Sequence, residues 1–120
     1  MNNDLYTAVC NQLGEDYQDD LTNVAAHGAD GGFNGFIYFC DTLAFYLANR
    51  ENIAALVDEC AKEFDLCPIC FVQSFKCCDE DTQTIARTLY GTDAQINENV
   101  ANCLAWFALE QAAFSGENDD

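Results

Sequence analysis

Twenty-one carboxylates face only four basic side chains in this 120-residue chain, and they are scattered along it rather than gathered into a tail. Every element must therefore turn a charged face to water and keep its apolar residues on the other side. A disordered acidic segment would be polar and poor in aromatics. Here the acids interleave with nine Phe, five Tyr and a Trp, enough apolar surface to drive folding.

The period of that interleaving is helical. Leu5, Val9 and Leu13 recur at four-residue spacing behind an Asn/Asp start, with Gly14 as a stop, and predict a helix over 3–13. Tyr17, Leu21, Val24 and Ala25 predict a second from Glu15 to His27, closed by Gly28. Gly28 to Gly35 holds four glycines and reads as a tight loop, followed by Phe36-Ile37-Tyr38-Phe39 as one short strand or an extended core segment. Asp41 then caps a helix through Asn49, and Asn49 is placed to cap the next. Ile53, Leu56, Val57, Cys60, Ala61 and Phe64 form that helix's apolar stripe. Pro68 opens a helix that runs with Phe71, Val72 and Phe75 to about Cys78, and the acidic turn Asp79-Glu80-Asp81 follows. Thr84–Tyr90, with Gly91 after it, is a short helix. Asn97–Phe114 is a long one with Val100, Cys103, Leu104, Phe107 and Gln111 on a stripe, ended by Gly116 and the acidic tail. The expected fold is all-α: one domain over 1–120, a compact orthogonal bundle of about six helices with at most one short strand or hairpin.

No run of about 18 apolar residues is present, and the start Met1-Asn2-Asn3-Asp4-Leu5 lacks the basic and apolar regions of an export signal, so a cytoplasmic protein is expected, with no membrane association. In that compartment the eight cysteines read as free thiols, several of them small buried apolar groups, and no structural disulfide is expected.

A formal net charge of −17 repels nucleic acid and anionic lipid and attracts basic protein surfaces. A basic partner is favoured over direct nucleic-acid binding. Solubility alone also accounts for an acidic surface.

Four groups of residues bear on chemistry. Cys67, Cys70, Cys77 and Cys78 offer four thiolates, the number a tetrahedral zinc site needs. If Cys67 to Cys78 form one helix, however, its ends stand about 16 Å apart, whereas zinc takes each sulfur at about 2.3 Å. The helical wheel instead sets these cysteines beside Phe71 and Phe75, as core residues. Cys67-Pro68-Ile69-Cys70 also has the spacing of a redox dithiol, without the βαβ setting in which such motifs usually sit. Asp30, Asn34, Gly35, Ile37 and Asp41 fall at positions 1, 5, 6, 8 and 12 of an EF-hand-like register, but Gly32 stands at position 3 and the short Asp41 at position 12, where a bidentate Glu belongs. His27 with Asp30 is the one available acid–base pair, and a helix-end histidine near a loop carboxylate explains it as well. No cofactor and no enzymatic activity is expected. Trp106 and Phe107 read as core.

The run Val24-Ala25-Ala26-His27-Gly28-Ala29-Asp30-Gly31-Gly32-Phe33-Asn34-Gly35-Phe36-Ile37-Tyr38, with Asp41-Thr42-Leu43-Ala44-Phe45-Tyr46 and Leu104-Ala105-Trp106-Phe107-Ala108-Leu109-Glu110, resembles a family of small uncharacterised proteins carried by phages and other mobile elements. The similarity covers about half the chain, and the cysteines between Cys67 and Asp81 stand outside it. Small acidic proteins of mobile elements often protect them from host defence, so the resemblance implies an anti-CRISPR or antirestriction protein in the host cytoplasm. Its partner would be the basic DNA-binding surface of a CRISPR effector or restriction enzyme. Duplex DNA carries one charge per about 1.7 Å of axis, so a domain of this charge is able to fill a cationic groove as a DNA mimic or steric blocker. The carboxylates expected to make that contact are Glu15, Asp16, Asp19 and Asp20; Asp58, Glu59 and Glu63; and Asp79, Glu80 and Asp81. The alternative is a metal- or small-molecule-binding domain using the cysteines or the Asp30–Asp41 loop.

Overall fold

The computed structural model describes residues 3–13, 22, 41–75 and 78–117. All regular structure among them is helical: α1 (Asn3–Leu13), α2 (Asp41–Glu63), α3 (Pro68–Gln73), α4 (Thr82–Tyr90), a 3₁₀ turn (Asp93–Gln95) and α5 (Glu98–Glu117). The expected Glu15–His27 helix, apart from Thr22, the glycine loop and the Phe36–Phe39 strand lie outside the described residues. The molecule is compact, with a radius of gyration of 13.5 Å, about the value for a folded chain of this length.

Helix α5 is the centre. The sequence predicts one buried stripe on it, whereas Val100, Ala101, Cys103, Leu104, Ala105, Phe107, Ala108, Leu109, Ala112 and Ala113 are all buried, nearly around its circumference. That follows from its neighbours, since α1, α2 and α4 all pack on it and only a helix with small and apolar residues on every side accepts three partners. Gly116 does not end it; the helix continues to Glu117. Trp106 packs against the core while staying partly exposed.

Helix α2 joins into one element what periodicity divides in two. The division is real in the backbone, where Asn49 has φ −120° and ψ 16°. Asn49 stands where the two predicted helices meet. Its Nδ2 donates to the Phe45 carbonyl at 2.9 Å, pairing an acceptor at the kink. Below the kink Ile53, Leu56, Val57 and Ala61 are buried as predicted, but Phe64 leaves the stripe and is 66% exposed. The helix ends before it: the Leu66 amide donates to the Ala61 carbonyl and the Asp65 amide to the Lys62 carbonyl, with Asp65 at φ 58° between them. These are the two hydrogen bonds of a Schellman stop, made here with Asp in the left-handed position where glycine is usual.

The predicted helix from Pro68 to Cys78 is only six residues long, and its Phe71 and Phe75 join Phe107 in an aromatic cluster with centroids 5.1–5.6 Å apart. Gly91 follows α4 as predicted, yet not in the left-handed region, for its φ is −81°. Space is what demands glycine there, since a Cβ would sit 2.6 Å from the Arg87 carbonyl oxygen.

One polar node ties α2, α4 and α5 together. Thr88, fully buried, accepts the Asn97 amide on its hydroxyl and donates that hydroxyl to the Thr84 carbonyl. Its own carbonyl accepts from Tyr46 Oη at 2.9 Å and Arg50 Nε at 3.0 Å, and Arg50 also reaches the Arg87 carbonyl and Asp93. Two of the last four carbonyls of α4, those of Arg87 and Thr88, thus find side-chain partners on α2. Asn97 in turn caps α5, its side-chain oxygen accepting the Val100 amide.

Candidate functional site

The node governs how charge is displayed. Arg50 points inward and spends its guanidinium on two carbonyls and Asp93, and Lys62 pairs with Asp58 one turn away at 3.3 Å. Two of the four basic side chains are thus each paired with one carboxylate.

The end of α2 carries one of the predicted groups. Asp58, Glu59, Glu63 and Asp65 fall within eight residues, with Lys62 as the one cation among them. Glu59 and Glu63 are exposed, one helical turn apart, and Asp65 stands on the stop that follows. Between and beyond them the chain exposes Phe64 and Leu66, and the exposed Tyr90 comes from the end of α4. The Tyr90 phenol has its pKa raised by partial burial first, then by the Asp58 carboxylate and the Cys67 sulfur, which places all three groups on one side of the molecule. Exposed carboxylates and exposed apolar side chains thus alternate along the end of α2 and the stop that follows it.

The second predicted group is arranged differently. Asp81 is a helix cap: its Oδ1 accepts the Thr84 amide at 2.7 Å, and that hydrogen bond holds its carboxyl below the ordinary 3.8. Glu80 is half-buried, 3.5 Å from the Asn99 side-chain nitrogen, and Asp79 is exposed. The turn precedes α4 whereas the Asp58 group lies near its far end, so a helix of nine residues, about 13 Å, separates the two. Glu15, Asp16, Asp19 and Asp20 lie outside the described residues. Asp65, Phe64, Leu66 and Tyr90 complete the site and were missed by the sequence reading; an acid four residues from Glu59 and two from Asp65 was the available signal.

The thiols divide into two kinds. Cys103 and Cys78 are buried, and burial raises the Cys10 and Cys60 thiols. Cys67 and Cys70 are exposed, which corrects their assignment to the core. Cys67 caps α3, its Sγ accepting the Cys70 amide at 3.3 Å. The 16 Å separation argued against zinc assumed one helix through Cys78, whereas α3 ends at Gln73. Among the described residues no three His, Cys, Asp or Glu side chains converge on a metal position, and Cys77 lies outside them. So do His27, Asp30 and the other calcium-register side chains through Asp41. No helix among the described residues is long and apolar enough to cross a membrane.

A domain family described as a domain of unknown function (DUF7222) matches residues 2–118, almost the whole chain, and the chain belongs to that family. No curated protein and no solved structure matches it.

Proposed function

We propose, for this member of a family without an assigned activity, that the chain is a binding protein whose exposed acidic and apolar side chains at the end of α2 dock on a basic, nucleic-acid-binding surface of another protein. The observation that carries this reading is the end of α2 and its stop, where Glu59, Glu63 and Asp65 are exposed and so are Phe64 and Leu66. Protein interfaces are built this way, with an apolar, aromatic centre that supplies affinity and a charged rim that supplies partner choice and association rate. The formal net charge of −17 supports it, because four basic side chains leave most of the 21 carboxylates without a cation to match.

Combined with the resemblance to proteins of mobile elements, the partner is a CRISPR effector or restriction enzyme, and the action is counter-defence by occupying the DNA-binding groove. The apolar centre favours a steric blocker that uses its acids for steering over a pure charge mimic. No catalysis and no cofactor is needed for that role. The test is capture of purified CRISPR and restriction complexes on the immobilised protein across a salt series. Capture that weakens steeply with salt, is competed by duplex DNA and is lost in Phe64→Ala supports the reading. Stoichiometric metal in the purified protein with no capture would move the assignment to the metal-binding alternative.

A further inference from the structure

Among the described cysteines, Cys67 and Cys70 differ from the other four in being both exposed and paired. They stand three residues apart across the first turn of α3, with Pro68 fixing the intervening backbone. The Cys70 amide donates to Cys67 Sγ at 3.3 Å, which draws the Cys67 sulfur over the turn toward its partner. The pair lies at and before the first turn of α3, ahead of its buried residues Phe71 and Val72, and the three-residue spacing brings the two cysteines within reach of a disulfide. Cys10 and Cys60 are partly buried and Cys78 and Cys103 buried, so among the described thiols an incoming reagent meets this pair first.

We propose that Cys67 and Cys70 form a thiol–disulfide exchange site whose substrate is a disulfide, with Cys67 as the attacking sulfur and Cys70 as the resolving one. The two sulfurs are unequal in the direction this order requires. Hydrogen bonds from the Cys70 thiol and then the Cys70 amide lower the Cys67 pKa, and the same contact with Cys67 raises that of Cys70. In the first step the Cys67 thiolate bonds to one sulfur of the substrate, the substrate S–S bond breaks, and the other substrate sulfur leaves as a thiolate that takes up a proton. In the second, Cys70 gives up its proton and its sulfur attacks Cys67 Sγ, and the second substrate thiol leaves. The substrate disulfide is reduced to two thiols and the Cys67–Cys70 pair is oxidised to one disulfide. The exposed Phe64, Leu66 and Tyr90 beside Cys67 offer a surface for a peptide-borne disulfide.

The experiment treats the reduced full-length protein with oxidised glutathione and follows intact mass and peptide maps. The expected product is a single species lighter by two hydrogens, with the Cys67 and Cys70 peptides linked. Cys70→Ser should trap a one-to-one glutathione adduct on Cys67, and Cys67→Ser should react several-fold more slowly at neutral pH. Folding of Cys67→Ser is protected, since a serine oxygen accepts the same cap hydrogen bond. Adducts spread over Cys10, Cys60 and Cys103, or equal rates in the two variants, would overturn the proposal. The substitutions leave Glu59, Glu63 and Asp65 in place, so the outcome is independent of partner binding.

Discussion

Asp65 and Asp81 are acids of the same chain with opposite roles in stability. Asp65 sits at φ 58°, where a Cβ crowds the following carbonyl. Asp65→Gly should raise stability by about 1 kcal/mol, measured by urea denaturation, because glycine removes that strain and keeps both hydrogen bonds of the stop. Asp81 stabilises α4 through its carboxylate. Its folded pKa lies below 3.8, so its contribution is fully present above that value and is lost as pH falls through the depressed one. Carboxyl NMR titration should find Asp81 among the last carboxyls to protonate, and Asp81→Ala should abolish that acid-sensitive part. Both positions look like surface charge in the sequence. The Asp-x-x-Thr spacing of Asp81, Thr84 was a legible cap signal, whereas Asp65 carries none, since a left-handed stop is ordinarily announced by glycine.

At the scale of elements, the helices were readable because an apolar period of 3.6 survives in α1, α4 and the part of α2 below the kink despite the charge, while α5 is a long apolar run between Asn97 and Gly116. What periodicity does not contain is how helix ends are met by other helices. Arg50 looks like any exposed cation between Asn49 and Glu51, yet it closes the end of α4. Arg50→Met should cost about 2–3 kcal/mol, since it leaves the Arg87 carbonyl without this partner and strips Thr88 of one of two donors. Tyr46→Phe should cost about 1 kcal/mol, because Arg50 still reaches the same oxygen. Burial pushes the Tyr46 phenol up to about 12 from 10, against the pull of Arg50. The unfolded chain therefore ionises first as pH rises, and the stability tied to the neutral phenol, whole below pH 10, is lost between 10 and about 12. Chemical denaturation against pH should show that loss, and Tyr46→Phe should flatten it.

For the molecule as a whole, the distribution of charge matters more than its sum. The sequence located the acids at 58–63 and 79–81 but not their different standing, because whether a carboxylate caps a helix or stands exposed beside apolar side chains depends on neighbours brought in from elsewhere in the chain. It also placed Phe64 in the core, where the apolar stripe continues in sequence; the Schellman stop turns the backbone before Phe64 can follow. The ring stays near α3, stacked 5.8 Å from Phe71 with most of its surface in water. An acidic field with an apolar centre predicts fast, salt-sensitive association and slow dissociation governed by the aromatic residues.

The most direct measurement of that account is displacement of a fluorescently labelled DNA duplex from a purified CRISPR effector or restriction enzyme, read by anisotropy at several salt concentrations. The wild-type chain should displace DNA at low salt, Glu59→Lys/Glu63→Lys/Asp65→Lys should lose displacement, and Phe64→Ala should weaken it at every salt concentration. Equal displacement by wild type and the triple charge reversal, or none by wild type against any such complex, would contradict it.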